Sequence, residues 1–167
     1  MGLLTVGGRR REAAPALGRP GPGAVAPQPV RLIVGFDDSE SARRALAWGV
    51  NLLRGGGGAV HVIYADRVIL ASDLPGFARA GMDEARDEKA AQVAASAAQI
   101  AAAAGVPHTF ECRRESPAKA LVVAADAEVA GPPVIVVGRS RDGARRAIGS
   151  VPGRLLRRSP HPVLIIS

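Results

Sequence analysis

Four short apolar runs, at residues 30–35, 59–64, 134–137 and 162–166, constrain what this chain can fold into more than any other feature of it. Each is far below the roughly 20 residues that cross a bilayer. Those at 30–35 and 134–137 are also too continuous for a strand with one wet face, so they read as strands buried on both sides, the mark of a parallel sheet, and those at 59–64 and 162–166 read as further strands. A fifth run, at 108–113, alternates in polarity and suits a less buried edge strand.

The segments between them read as helices. After the first run, Asp37, Asp38 and Ser39 supply N-cap residue types. Ala42, Ala45, Leu46, Gly49, Leu52 and Leu53 then recur at helical spacing, with Arg43, Arg44 and Arg54 on other faces. Gly55 to Gly58 stop that helix. Residues 65–76 read as a loop, and a long Ala-rich helix follows from about 76 to 104, ended by Gly105 and Pro107. Ser116-Pro117 opens a third helix, expected to run to about Val129 before Pro132-Pro133 break it. Ser150 is the expected cap of a short helix after a Gly/Arg-rich loop at 138–149. The order β-α-β-α-β-α-β-loop-α-β predicts an α/β fold: a five-stranded parallel sheet with helices on both faces and right-handed crossovers.

Residues 1–29 stand apart. They are rich in Gly and Pro, carry Arg9-Arg10-Arg11, and show no helix or strand period, so they are expected to be a disordered tail before a single domain at 30–167. Charges follow a short apolar stretch at the N-terminus, the reverse of a secretory signal. Val6 breaks the myristoylation pattern. The chain is therefore expected to be cytoplasmic. Its one cysteine, Cys112, excludes an internal disulfide and a cysteine-rich zinc site; it could link two chains, but is expected to be a buried, inert thiol. The formal charge of +7 makes contact with anions possible, without bearing on fold.

In a parallel sheet of this kind ligands bind beyond the carboxyl ends of the strands, at the switch point. Two segments therefore matter most. In the turn Gly35-Phe36-Asp37-Asp38-Ser39, a carboxylate can accept hydrogen bonds from a base amine or a ribose hydroxyl. Asp38 or Ser39 fits the helix cap, which leaves Asp37, at the strand tip, as the candidate ligand. The second segment runs from Gly138 to Ser150. A strand ending in Gly, a loop, then Gly-Ser opening a helix can form a phosphate cradle of backbone N–H groups, with Arg side chains as charge-assisted donors.

Taken in order, several pieces resemble the universal stress protein family. They are Val30-Arg31-Leu32-Ile33-Val34-Gly35-Phe36-Asp37-Asp38-Ser39, Ala45-Leu46-Ala47-Trp48, His61-Val62, Val134-Ile135-Val136-Val137-Gly138, Gly149-Ser150-Val151 and His161-Pro162-Val163-Leu164-Ile165-Ile166. The resemblance spans residues 30–167. It implies a five-stranded parallel sheet, a homodimer, and a regulatory role without catalysis. Some members bind ATP, with or without Mg²⁺, and others do not. In those that do, the base and ribose lie against positions matched here by Asp37 and Val62. The phosphates lie on a loop patterned Gly-x2-Gly-x9-Gly-(Ser/Thr), whose ends match Gly138, Gly149, Ser150 and Val151. The middle departs from the pattern: Arg141 stands at the second glycine, and the loop is two residues short. Gly143 could supply the turn, and Arg139, Arg141, Arg145 and Arg146 could hold phosphates by side chain. The alternative is a nucleotide-independent protein that acts by dimerisation and partner binding.

The last strand gives an independent argument for a second chain. Val163-Leu164-Ile165-Ile166 carries no charge, and as an open edge it would invite aggregation unless paired with its own copy. Other classes fit poorly. His61, His108 and His161 lie far apart along the chain and build no catalytic set. A phospho-acceptor domain needs an acceptor Asp after the third strand and a Lys after the fifth, and neither is present. Gly55 to Gly58 are followed by Ala59-Val60, not Lys-Ser, and the first turn lacks G-x-G-x-x-G. Aromatics are only 3% of the chain, so base stacking has few partners, and sequence-specific nucleic-acid binding is not expected. The charge permits only salt-sensitive, sequence-independent contact.

Overall fold

The computed structural model describes residues 29–66, 76–139 and 151–167. The elements are β1 (Arg31–Gly35), α1 (Glu40–Leu53), β2 (Ala59–Ala65), α2 (Gly76–Ala103), β3 (His108–Arg113), α3 (Pro117–Asp126), β4 (Pro133–Gly138), α4 (Val151–Arg158) and β5 (Val163–Ile166). The strands form one sheet in the order β3-β2-β1-β4-β5, every pairing parallel. The expected fold class is present. The tail expected at 1–29, apart from Pro29, lies outside the described residues, as do most of the expected loop at 65–76 and the Gly/Arg-rich loop beyond Arg139.

Alternating side chains of the central strands feed two cores. Leu32, Val34, Val60, Val62 and Val136 pack beneath α1 and α2, where Ala45, Leu46, Val93 and Ala101 complete the layer. Ile33, Ile63, Ile135 and Val137 face the other way, onto Leu121 and Ala124 of α3 and Leu155 of α4. Most of these residues are below 2% exposed, and burying each large aliphatic side chain contributes about 1.5–3 kcal/mol. With aromatics so few, Ala is the commonest residue that the helices bring to the two cores.

Local departures from the sequence reading have local causes. The buried stripe of α1 is Ala42, Ala45, Leu46, Gly49, Val50 and Leu53. Val50 takes the place expected of Leu52, which is 56% exposed. Helix α3 stops at Asp126, short of Val129. There Glu128 Oε1 accepts the Ala130 N–H at 2.9 Å, and Val129, 94% exposed, has nothing to pack on. Ser116 sits at the N-cap of α3 without a side-chain cap bond, and Pro117 opens the helix. Pro133 begins β4, a position where a missing N–H is tolerated. Among the described residues no helix is long and apolar enough to cross a membrane.

Candidate functional site

The sheet order reverses between β1 and β4, so the crevice beyond their carboxyl ends is the place for a ligand. The Phe36 N–H donates to Ile63 O at 3.0 Å, which carries the β1–β2 ladder one residue past the strand. Phe36 itself is buried beneath α1, so the chain reaches the rim at Asp37.

Three adjacent residues there do three different jobs. Ser39 is the N-cap of α1, its Oγ accepting the Ala42 N–H at 3.3 Å. Asp38 adopts φ 64°, a left-handed conformation that Asp tolerates better than most residues. Its carboxylate accepts the Ser96 hydroxyl at 2.5 Å and pairs with Arg43 at 2.8 Å, tying the turn to both α1 and α2. The Ser96 hydrogen bond, with help from Arg43, holds the Asp38 carboxyl below its ordinary pKa. Asp37 is left exposed, one oxygen accepting the Ser39 N–H at 3.1 Å. That bond fixes the direction of a carboxylate that faces solvent.

The opposite wall is the end of β4. Gly138 lies against the first turn of α1 so closely that a Cβ on it would sit 2.1 Å from the Ser41 carbonyl oxygen. This glycine is required by packing, whatever it does for a ligand. Beyond it, the exposed Arg139 donates its backbone N–H to Ile166 O at 2.7 Å.

The structure thus brings the Asp37–Ser39 turn and the Gly138–Arg139 end together through Ser41. Val62 is elsewhere. It lies inside β2, in register with Val34 and Phe110, and is 0% exposed, so its side chain is closed to a ligand. Val151 opens α4 and packs half-buried on the α3/α4 core. Arg141, Gly149 and Ser150, with Gly143, Arg145 and Arg146, lie outside the described residues.

Tyr64 is a rim residue that the local sequence pattern does not single out. Gly35 pairs with Ile63, so Tyr64 begins the part of β2 that overhangs β1, and it packs half-buried on the α1/α2 side. Burial first, then the negative charges of Asp66 and Asp37, push its phenol above the ordinary value of about 10. Asp66 follows β2 and pairs with Arg86 at 3.4 Å. Cys112 is in register with Tyr64 on β3, and it is exposed, not buried as expected. The edge position of β3 opens that side of the residue. Its thiol is nonetheless held above its ordinary pKa, chiefly by desolvation and by Asp66, so it stays protonated near neutrality.

Tyr64 is the chain's one tyrosine, so the change in ultraviolet absorbance that accompanies phenol ionisation reports on it alone. Its ionisation is expected to begin later than that of a free phenol. Because the folded value is raised, the associated stability is complete below about pH 10 and is lost as pH rises through the folded value. Tyr64→Phe should flatten this alkaline loss in thermal melts. A titration matching free tyrosine would place Tyr64 outside the charged rim.

Comparison with known proteins follows the geometry. The sequence profile of the universal stress protein family matches residues 30–167. No curated protein sequence matches significantly. A universal stress protein solved in complex with cAMP is 25% identical, at TM-score 0.65, over 85% of this chain and 99% of its own. One from Archaeoglobus fulgidus, in complex with dAMP, is 19% identical, at TM-score 0.57, over 84% and 98%. A family protein from Arabidopsis thaliana with AMP bound is 15% identical, at TM-score 0.59, over 83% and 91%. With its β3-β2-β1-β4-β5 sheet and a profile match running from the first strand to the last residue, this chain belongs to the universal stress protein family.

Proposed function

We propose that this protein is a cytoplasmic, non-catalytic regulator of a stress response that binds an adenine nucleotide beyond the ends of β1 and β4 and works as a homodimer. The observation that carries the nucleotide reading is Asp37: an exposed carboxylate, oriented by the Ser39 N–H, at the switch point of the sheet. A base amine or ribose hydroxyl would donate to it. The cAMP, dAMP and AMP held by the three relatives support the choice of ligand class.

In this reading the phosphates of ATP run toward Gly138, Arg139 and the start of α4 at Val151, with Arg141, Gly149 and Ser150 in the sequence between. Arg141 in place of a glycine adds a side chain where the backbone would otherwise approach phosphate. Phosphate is then held by guanidinium groups more than by backbone N–H groups. Mg²⁺, where it takes part, would enter on the nucleotide phosphates. His161 pairs with Asp126 at 2.6 Å and His61 with Glu111 at 3.3 Å, partners that suit structural roles.

Calorimetric titration with ATP, with and without Mg²⁺, and with AMP tests this reading. Micromolar binding, weakened at least tenfold in Asp37→Ala with an unchanged melting temperature, is expected. The Arg at position 141 and the two-residue shortfall favour a second reading, a family member that acts without nucleotide. The absence of heat up to millimolar ATP and AMP would select it.

A further inference from the structure

The positive charge of this chain is concentrated. Residues 30–137 hold eleven Lys and Arg against thirteen Asp and Glu, whereas residues 138–158 hold seven Arg and one Asp. In the described part of that stretch, α4 carries half-buried Arg154 and exposed Arg157 and Arg158. Spacings of three and four residues make Arg154 a surface neighbour of both. The opposite side of the helix is committed to the core through Leu155, 1% exposed, and Val151.

Five arginines elsewhere among the described residues are treated differently, although Arg54, Arg114 and Arg139 share the lack of an ion pair. Arg31, Arg43, Arg44, Arg86 and Arg113 each lie within 3.9 Å of a carboxylate. Among the described residues no ion pair involves Arg154, Arg157 or Arg158. The acids at the end of α3 are engaged by other groups: Asp126 by His161, and Glu128 by Arg31. The helix dipole accounts for Arg157 and Arg158 in the last turn, but not for Arg154 in the middle of the helix. Three like charges at this spacing repel one another and weaken the helix unless an anion lies across them.

We propose that α4 docks on the phosphate backbone of nucleic acid, without regard to sequence. The guanidinium fork matches phosphate geometry, and Arg is favoured over Lys where that match matters. The 3% aromatic content removes base stacking, which leaves backbone contact as the mode of binding. An anionic membrane is a poorer match. Leu155 and Val151 face the core, so Leu156, 66% exposed, is the large apolar side chain that α4 offers to a lipid surface. The test is separable from that of the nucleotide reading, because Arg157 and Arg158 lie at the far end of α4 from Val151.

The test is fluorescence anisotropy of the full chain with two labelled DNA duplexes of unrelated sequence, each about 20 base pairs, across roughly 50 to 200 mM salt. Both duplexes are expected to bind with similar micromolar affinity at the low-salt end. Arg157→Gln with Arg158→Gln should weaken binding at least tenfold there, and should flatten the log K against log salt slope by about 2. The corresponding double Lys variant should keep the slope. Changing Arg9, Arg10 and Arg11 together to Gln should leave the α4 effect intact. Melting by circular dichroism checks that each variant is folded. The proposal is overturned by no duplex binding at low salt, by a slope that ignores the α4 substitutions, by loss only in the tail variant, or by α4-dependent capture of anionic vesicles without duplex binding.

Discussion

Gly138→Ala is expected to destabilise the domain by about 3 kcal/mol, the upper part of the usual cost of overpacking, with a fall in Tm of roughly 10 °C. The new Cβ would meet the Ser41 carbonyl oxygen at 2.1 Å and its carbonyl carbon at 2.3 Å. Both are backbone atoms of the first turn of α1, so no rotamer change relieves the clash. The helix start must withdraw from the end of β4, and the Asp37–Ser39 turn is attached to that start. Loss of nucleotide affinity would then accompany loss of stability, although alanine removes no ligand-binding group. Gly81→Ala is the matched control. It lies in α2 with nothing within 4 Å of the added carbon, so it should be neutral or stabilise by about 0.5–1 kcal/mol. A Gly138→Ala protein that melts with the wild type would refute the account of this corner.

The second large effect is expected at Ile165. The Ile135 N–H donates to Pro162 O, and the Arg139 N–H to Ile166 O, so the even-numbered residues of β5 turn their backbone groups toward β4. Val163 and Ile165 therefore direct theirs to the open edge. Ile165→Pro removes an outward N–H while sparing the ladder to β4, a placement in which an edge strand tolerates proline. If two copies pair through β5, this substitution should convert a dimer to a monomer by light scattering. Leu164→Ala, which trims a side chain packed on the α1 side, should lower stability yet leave the dimer formed. A wild-type protein that is monomeric at micromolar concentration would remove β5 as the interface.

What could be read in the sequence follows the range over which the information acts. The apolar runs located the strands, and β1 and β4 most clearly, because burial on both faces is written into consecutive residues. The stripe of α1, with Val50 in place of Leu52, and the capping role near Ser39 were legible for the same reason, since periodicity and cap chemistry are local. Features that depend on strand register were harder to see. Tyr64 reaches the rim because Gly35 pairs with Ile63, and nothing near position 64 says so. Cys112 was expected inside because free cysteines usually are. Its exposure follows from where β3 falls in the sheet. The glycine of Gly138 was legible as a loop signal, but its packing against Ser41 is a contact between residues almost a hundred positions apart. Val62 was a candidate through resemblance, and the structure seats its side chain in the core.

The two borders of the sheet are chemically unlike, and this limits how the molecule can polymerise. β5 ends the sheet with Val163, Leu164, Ile165 and Ile166, whereas β3 ends it with Thr109, Glu111 and Arg113 among its residues. Glu111 and Arg113 are already joined at 2.9 Å, and Glu111 also holds His61. If the β5 of one molecule mated with the β3 of the next, every addition would leave a fresh β5 exposed, and growth would have no end. Like mating with like about a two-fold axis consumes both apolar borders at once and leaves only the charged ones outside. In a dimer joined in that way the charges of β3 would act as a terminus, closing the edges along which a fibre would otherwise grow.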